Sequence, residues 1–254
     1  MNSQLKDARL NWLAEQQCNI AQFVSYGPDG RQRYCRIRKK SPNESIPTIR
    51  EAVEAICATQ QSPSINIRTF LPDKPDGNPF VYGMTHIEDV EAEARELNAQ
   101  GLYLLINETI NVRDGGFSGV LFGDTMEVAP FDTPRCVDKP GTMALPRTIG
   151  MRLIQTVYRH DLSIPFTKNE HVEFSVHPTR VGYLREHQII WQADIYNKGI
   201  PQTPHIRWPH NYSRAMGDKA FGLLMAHLLK FRVPYTVVLG RHIAPRSFLI
   251  RFKK

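Results

Sequence analysis

The sequence predicts an α+β fold in which antiparallel sheets are flanked by helices, and three observations carry that expectation. Residues 172–176 (Val-Glu-Phe-Ser-Val) and 188–192 (Gln-Ile-Ile-Trp-Gln) read as strands with one buried face. The stretch between them, 178–187, is rich in turn and charged residues, so an antiparallel hairpin is the economical connection. Residues 87–99 carry acidic side chains early, apolar Val90, Ala94 and Leu97 at helical spacing, and Gly101 as a stop, the marks of an amphipathic helix.

The remaining elements follow in order. Leu10, Leu13 and Ala14 give a short helix over 7–17, and 20–24 is a strand that runs into the turn Tyr26-Gly-Pro-Asp-Gly30. Residues 32–37 return as a second strand, with Arg31, Arg33, Arg36 and Arg38 on its outer face. That alternation reads as the solvated side of a hairpin, with phosphate contact as the alternative. Ser45 or Thr48 caps a helix to about residue 59, with Ile49, Val53 and Ile56 on one side. Residues 64–70 form a strand that enters the Pro-, Asp- and Gly-rich loop 71–79. The apolar run 102–106 is of buried-strand type. Asp114-Gly-Gly116 reads as a hairpin turn, 120–122 as its return, and Gly123-Asp-Thr125 as a second turn into 126–129. Loop-rich 132–137 and 139–141 precede a helix over 146–158. After Gln192, Pro201, Pro204, His205, Trp208, Pro209 and His210 mark an irregular stretch. A helix over 216–229 then starts beside Lys219, Arg232-Val-Pro234 breaks it, and 235–239 is a strand.

At 254 residues the chain is long enough to bury a sizeable core as one large domain or two small ones. No apolar run approaches the length of about 18–20 residues that spans a membrane, and the N-terminus has no apolar signal core. Cys18, Cys35, Cys57 and Cys136 are scattered rather than paired as in zinc sites, which fits reduced thiols in a cytoplasmic protein. The formal charge of +7 favours an anionic partner such as nucleotide phosphate, nucleic acid or an acidic protein; a merely soluble surface is the alternative. No Gly-x-x-x-x-Gly-Lys-Ser/Thr loop, Gly-x-Ser-x-Gly elbow or His-Glu-x-x-His helix occurs.

The chemistry-bearing residues are few. Glu173 and Gln192 place a carboxylate and an amide oxygen on two neighbouring strands, a donor pair that one Mg²⁺ shares while keeping waters and substrate phosphates. Arg68 ends a strand ahead of a loop, suited to phosphate or to a structural pair with a loop aspartate. Lys219 follows a glycine at a helix start, where unpaired N–H groups favour phosphate; the alternative is a solvated lysine beyond a capped core helix.

This order of pieces resembles the ATP-grasp domain of phosphoenolpyruvate synthase and pyruvate phosphate dikinase. The strand with Glu173, the hairpin, and Ile189-Ile190-Trp191-Gln192 look like the family's metal-binding end, and Ser118-Gly-Val-Leu-Phe122 is similar to its Gly-Val-x-Phe strand. The resemblance implies Mg²⁺ with ATP held by Glu173 and Gln192, nucleotide phosphate held by Arg68 and Lys219, and adenine bound through the backbone around Ile106, Asn107 and Glu108. Arg68 and Lys219 would be the catalytic cations.

The sequence departs from the family in three places. Thr69 and Phe70 stand where the family has serines. Gln192 leads into Ala193-Asp194 rather than a small residue followed by Arg-Pro. The lysine segment, with family-like spacing from Lys219 to Val233, comes last instead of first, which implies a circular permutation. The phosphohistidine and pyruvate-binding domains are absent from the sequence. The expected organisation is a nucleotide-binding domain over 1–195, with subdomains of about 1–100 and 101–195, followed by a linker and a helix–strand segment over 196–254. The expected function is an ATP-dependent phosphotransferase or ligase with an unidentified acceptor or protein partner. The alternatives are an inactive nucleotide-binding regulatory subunit and a basic nucleic-acid-binding protein.

Overall fold

A computed structural model describes residues 5–60, 63–72, 78–112, 114–131, 141–165, 167, 169–195, 203–238 and 250–251. In chain order the first elements are α1 (Lys6–Glu15), β1 (Phe23–Tyr26), β2 (Gln32–Arg36), α2 (Ile49–Cys57), β3 (Ile65–Phe70), β4 (Phe80–Met84), α3 (Ile87–Ala99) and β5 (Tyr103–Glu108). There follow β6 (Phe117–Phe122), β7 (Thr125–Pro130), β8 (Met143–Pro146), α4 (Arg147–Tyr158), β9 (Glu170–Val176) and β10 (Gln188–Ile195). The last are β11 (His205–Ile206), α5 (Asn211–Met216), α6 (Asp218–Leu228), β12 (Val237–Val238) and β13 (Ile250–Arg251). The chain divides into two compact units, Met1–Ile110 with Val181–Asp194, and Asn111–Arg180 with Ile195–Lys254. The α+β expectation holds in each: an antiparallel sheet flanked by helices.

The first unit is built on a sheet of order β2-β1-β5-β3-β4. Ile65, Ile67, Leu104, Ile106, Val24 and Cys35 form one buried face, against which α2 lays Val53 and Ile56 and α3 lays Val90, Ala94 and Leu97. The three- and four-residue spacings of those apolar positions select a helix with one inward stripe. Each buried Val, Ile or Leu contributes about 1.5–3 kcal/mol relative to exposure. Thr48 caps α2 by accepting the Glu51 N–H at 3.2 Å, as its residue type predicts.

Of the four arginines expected on that outer face, Arg31 is solvated, its side chain 88% exposed, while Arg33, Arg36 and Arg38 turn to protein partners. Arg33 Nε meets Asp7 Oδ2 at 2.8 Å, Arg36 Nε donates to Asn11 Oδ1 at 2.9 Å, and the Arg38 guanidinium donates to the carbonyls of Thr59, Val181 and Gly182. Arg33, Arg36 and Arg38 thereby tie α1, β2 and the 181–194 segment together.

Residues 181–194 belong to the first unit because Asn19 holds them there. Its amide donates to the carbonyls of Glu186 and Gln188, both at 2.7 Å, and its oxygen accepts the Leu184 N–H at 2.7 Å. Ile20 and Ile190 then form a parallel bridge, and Ala21, Ile110, Ile189 and Trp191 close a small apolar cluster. Gly182 has to be glycine, since a Cβ there would lie 2.6 Å from the Ile20 carbonyl oxygen.

The second unit carries strands in the order β9-β6-β7-β8-β11. Gly123 and Asp124 close the expected two-residue hairpin between β6 and β7, with Gly123 at φ +57°. Asp114-Gly115-Gly116, by contrast, closes no hairpin: β5 before it and β6 after it lie in different sheets. Tandem glycines mark a sharp turn, and sequence periodicity says nothing about which strand accepts the return. Phe117, Gly119 and Leu121 on β6 pack with Phe174, Met126 and Val128, and α4 covers this face with Leu153, Ile154 and Val157. Gly119 and Gly150 allow the close approach, because a Cβ would meet the Phe174 ring at 2.5 Å and Met126 Sδ at 2.7 Å respectively. The expected helix over 216–229 is instead α5 and α6, broken at Gly217 with φ +86°. Strands β4 and β8 have no counterpart in the expected elements. The loop residues 73–77, 132–137, 139 and 140, Pro201, and the basic residues Arg241, Arg246, Lys253 and Lys254 lie outside the described residues.

Candidate functional site

Antiparallel register decides which side chains share a face, because directly opposed residues project to the same side. In the second unit Glu173 on β9 opposes Val120 on β6, which opposes Glu127 on β7, which opposes Ala144 on β8. Two carboxylates therefore stand in one row with a valine between them, on strands roughly 10 Å apart. Both are buried, Glu173 at 4% exposure and Glu127 at 2%. His171, two residues earlier on the same face, brings Nε2 to 3.6 Å from Glu173 Oε1. Carboxylate oxygens are the donor type a hard cation takes. Among the described residues no group of three His, Cys, Asp or Glu side chains could hold a metal ion. A cation here would complete its shell with phosphate oxygens and water, as Mg²⁺ does.

The same face carries a second constellation, which sequence reasoning missed. Ser175 Oγ lies 2.8 Å from His177 Nε2, and His177 Nδ1 lies 3.0 Å from Asp114 Oδ2. Asp114 Oδ1 accepts the Gly116 N–H at 3.1 Å. Burial pushes the Asp114 carboxyl up, but the His177 hydrogen bond and charge, the Gly116 N–H and nearby Arg180 outweigh it and hold the group below its ordinary value. Opposite Ser175 stands Ser118. The signal in the sequence was the alternation Glu173-x-Ser175-x-His177, but the partner Asp114 is 63 residues from His177.

In the first unit Arg68 and Gln192 meet. The Arg68 guanidinium donates to Gln192 Oε1, and Gln192 Nε2 donates to Asp194 Oδ2 at 2.5 Å. Lys6 Nζ stands 3.7 Å from the same Asp194 oxygen. Arg68 is stacked over Trp191 at 4.3 Å and Phe80 at 4.7 Å, which fixes the plane of its fork. The expected loop-aspartate partner for Arg68 falls at positions 73 and 76, outside the described residues. Gln192 Oε1, the expected metal ligand, is engaged by a cationic donor.

Ile106, Asn107 and Glu108 lie in β5, the central strand, flanked by β1 and β3. Their backbone groups serve the ladder, and Glu108 also accepts the Gln22 N–H at 2.9 Å through its carboxylate. Asn107 Nδ2 donates to the Glu108 carbonyl at 2.8 Å. Lys219 is exposed in the first turn of α6, after Asp218. The structure thus brings Arg68 to Gln192 in the first unit, and places Glu173 and Lys219 in the second, one buried on a strand and one exposed on a helix. No helix among the described residues is long and apolar enough to cross a membrane.

No protein-family model matches the chain, and no curated protein matches it. Among solved structures it is similar to the D-cycloserine synthetase DcsG, with 12% identity and a TM-score of 0.42 over 77% of this chain and 63% of that one. It is also similar to the macrocyclase MdnC bound with precursor peptide MdnA from Microcystis aeruginosa MRC, at 12% identity and TM-score 0.37 over 78% of this chain and 53% of that one. A third is the D-alanine–D-alanine ligase from Bacillus anthracis complexed with ATP, at 9% identity and TM-score 0.38 over 89% and 62%. The chain spans less than two thirds of the length of each of these structures. TM-scores of this size do not establish a shared fold; the α+β class rests on the two sheets themselves.

Proposed function

We propose that the chain is an ATP-grasp-type enzyme acting with Mg²⁺ and ATP, a phosphotransferase or ligase, with residues 1–195 as its nucleotide-binding part. The observation that carries the reading is the buried row Glu173–Val120–Glu127. Carboxylate oxygens are the ligands Mg²⁺ takes beside substrate phosphates, and phosphoryl chemistry asks mainly for positioning and charge compensation. In this reading Glu173 is the principal ligand, with Glu127 on the far side of Val120. The bound cation would draw charge off the phosphate oxygens.

Arg68 supplies a guanidinium of fixed plane, suited to two phosphate oxygens at once. Gln192, expected as a second ligand, instead orients that guanidinium, since a cation at its oxygen would sit beside a positive charge. Lys219 adds an ammonium at a helix start. An adenine read through backbone groups would need the end of β5 beyond Glu108, where the ladder stops.

Isothermal titration with ATP tests the reading. Binding that strengthens with Mg²⁺, accompanied by a rise in melting temperature, is expected. No binding of ATP, ADP or AMP at millimolar concentration would remove it.

A further inference from the structure

The charge of the chain is unevenly spread. Asp218 is the last acidic residue, and residues 219–254 hold eight of the 32 Lys and Arg and none of the 25 Asp and Glu, so the net +7 arises wholly there. Such asymmetry points to an anionic surface as partner. Within that stretch, residues 229–237 also turn apolar side chains outward. Leu229, Phe231 and Tyr235 are each more than half exposed and Val237 is 40% exposed, with Lys230 and Arg232 exposed among them. The backbone beneath them is pinned. Lys230, at φ +67°, closes the end of α6: its N–H returns to the His227 carbonyl and the Phe231 N–H to the Ala226 carbonyl, both at 2.9 Å. The Arg152 guanidinium on α4 donates to the Leu228 carbonyl, and Val238 is buried at the far end of the segment. The apolar residue after such a cap ordinarily folds back onto the helix, whereas Phe231 is 67% exposed. A lysine in a left-handed conformation, where glycine is at ease, costs stability, so the charge at that position is held against the preference of the backbone.

We infer that the 229–237 segment docks on an anionic membrane surface, with Leu229, Phe231 and Tyr235 entering the headgroup boundary and Lys230 and Arg232 meeting the anionic groups of the lipids. The mixture of side chains selects this partner. Nucleic acid asks for cations and for rings that stack on bases, and exposed aliphatic groups such as Leu229 and Val237 gain nothing there. A lipid interface takes aliphatic and aromatic groups alike, with tyrosine at headgroup level. Long basic side chains lay their stems along the acyl boundary and keep their charged heads at the surface. Each cation near an anionic leaflet strengthens binding about fivefold. Asp218 stands in the first turn of α6, about 16 Å from its last turn, too far to neutralise Lys230 at physiological salt. The contact is peripheral, needs no spanning helix, and is independent of the ATP reading.

The test is co-sedimentation of the full chain with vesicles, either phosphatidylcholine alone or phosphatidylcholine with about one third phosphatidylserine. Binding to the anionic vesicles is expected, far weaker binding to the neutral ones, and release in about 0.5 M salt. Phe231→Ser should weaken binding about tenfold, and Lys230→Gln with Arg232→Gln about twentyfold. Lys230→Gly separates the surface from the scaffold. Glycine suits the left-handed cap, so the melting temperature should hold or rise while vesicle binding falls about fivefold. Absence of binding to anionic vesicles would overturn the inference, as would equal binding to neutral ones or unchanged binding by Phe231→Ser. Self-association in vesicle-free solution that Phe231→Ser abolishes would overturn it too, making the segment a contact between copies of this chain. So would binding of a single-stranded oligonucleotide that needs Lys230 and Arg232 and that anionic vesicles do not compete away.

Discussion

The first unit and the second unit each back an antiparallel sheet with helices, yet their charged residues are used in opposite ways. In the first, charge is matched internally: Asp7 holds Arg33, Asn11 and Glu15 hold Arg36, and Gln192 with Asp194 ends the chain from Arg68. In the second, one sheet face gathers Glu127, Glu173 and the Ser175–His177–Asp114 line, while the opposite face carries Phe117, Leu121, Met126, Val128, Val172 and Phe174, with Glu170 the buried carboxylate at the end of β9. The lesson is that strand alternation of polar residues does not imply water. On one unit the polar residues are joinery between elements; on the other they are a concentrated set of acceptors and bases.

That contrast can be broken or sharpened by substitution. The largest effect is expected on the apolar face of the second unit, where Phe174→Ala should cost about 3–5 kcal/mol in denaturant unfolding; a cost below 1 kcal/mol would mean that the face is not the core of that unit. Next comes Asp7→Ala in the first unit. Asp7 is fully buried but Arg33 is 29% exposed, so the loss should be on the order of 2 kcal/mol, less than for a wholly buried pair. Glu173→Gln should behave differently, with stability changed by less than about 1 kcal/mol and Mg²⁺-dependent nucleotide affinity falling about tenfold or more, 1.4 kcal/mol. The reverse outcome, lost stability with affinity intact, would make Glu173 joinery after all.

The smallest effect concerns acid. Asp114 is held below the ordinary carboxyl value of 3.8 in the folded state, so it binds its proton more readily when unfolded. Its contribution to stability is present above that ordinary value and is lost as pH falls through the lower folded one. Asp114→Asn should flatten this acid limb in thermal melts between about pH 5 and 2. A limb of the same steepness in both proteins would place the carboxylate outside the hydrogen-bonded line.

What the sequence determined by itself is local. The helix 87–99, a cap at Ser45 or Thr48, of which the structure uses Thr48, and the turn at Gly123–Asp124 were legible because each depends on residues within about four positions of one another, where periodicity and turn chemistry act. The α+β class followed from the sum of such pieces. The tertiary structure decided which residues meet. Glu173 and Glu127 share a row only through the registers of three strands, and register is set by pairing between distant segments, where a slip of one residue would turn Glu173 to the other face. Arg68 meets Gln192 across 124 residues, and the arginines of β2 found carboxylate, amide and carbonyl partners that no alternation pattern displays. The turn at Asp114–Gly116 looked like a hairpin because its glycines are visible locally, while the sheet that receives the next strand is chosen by packing far away.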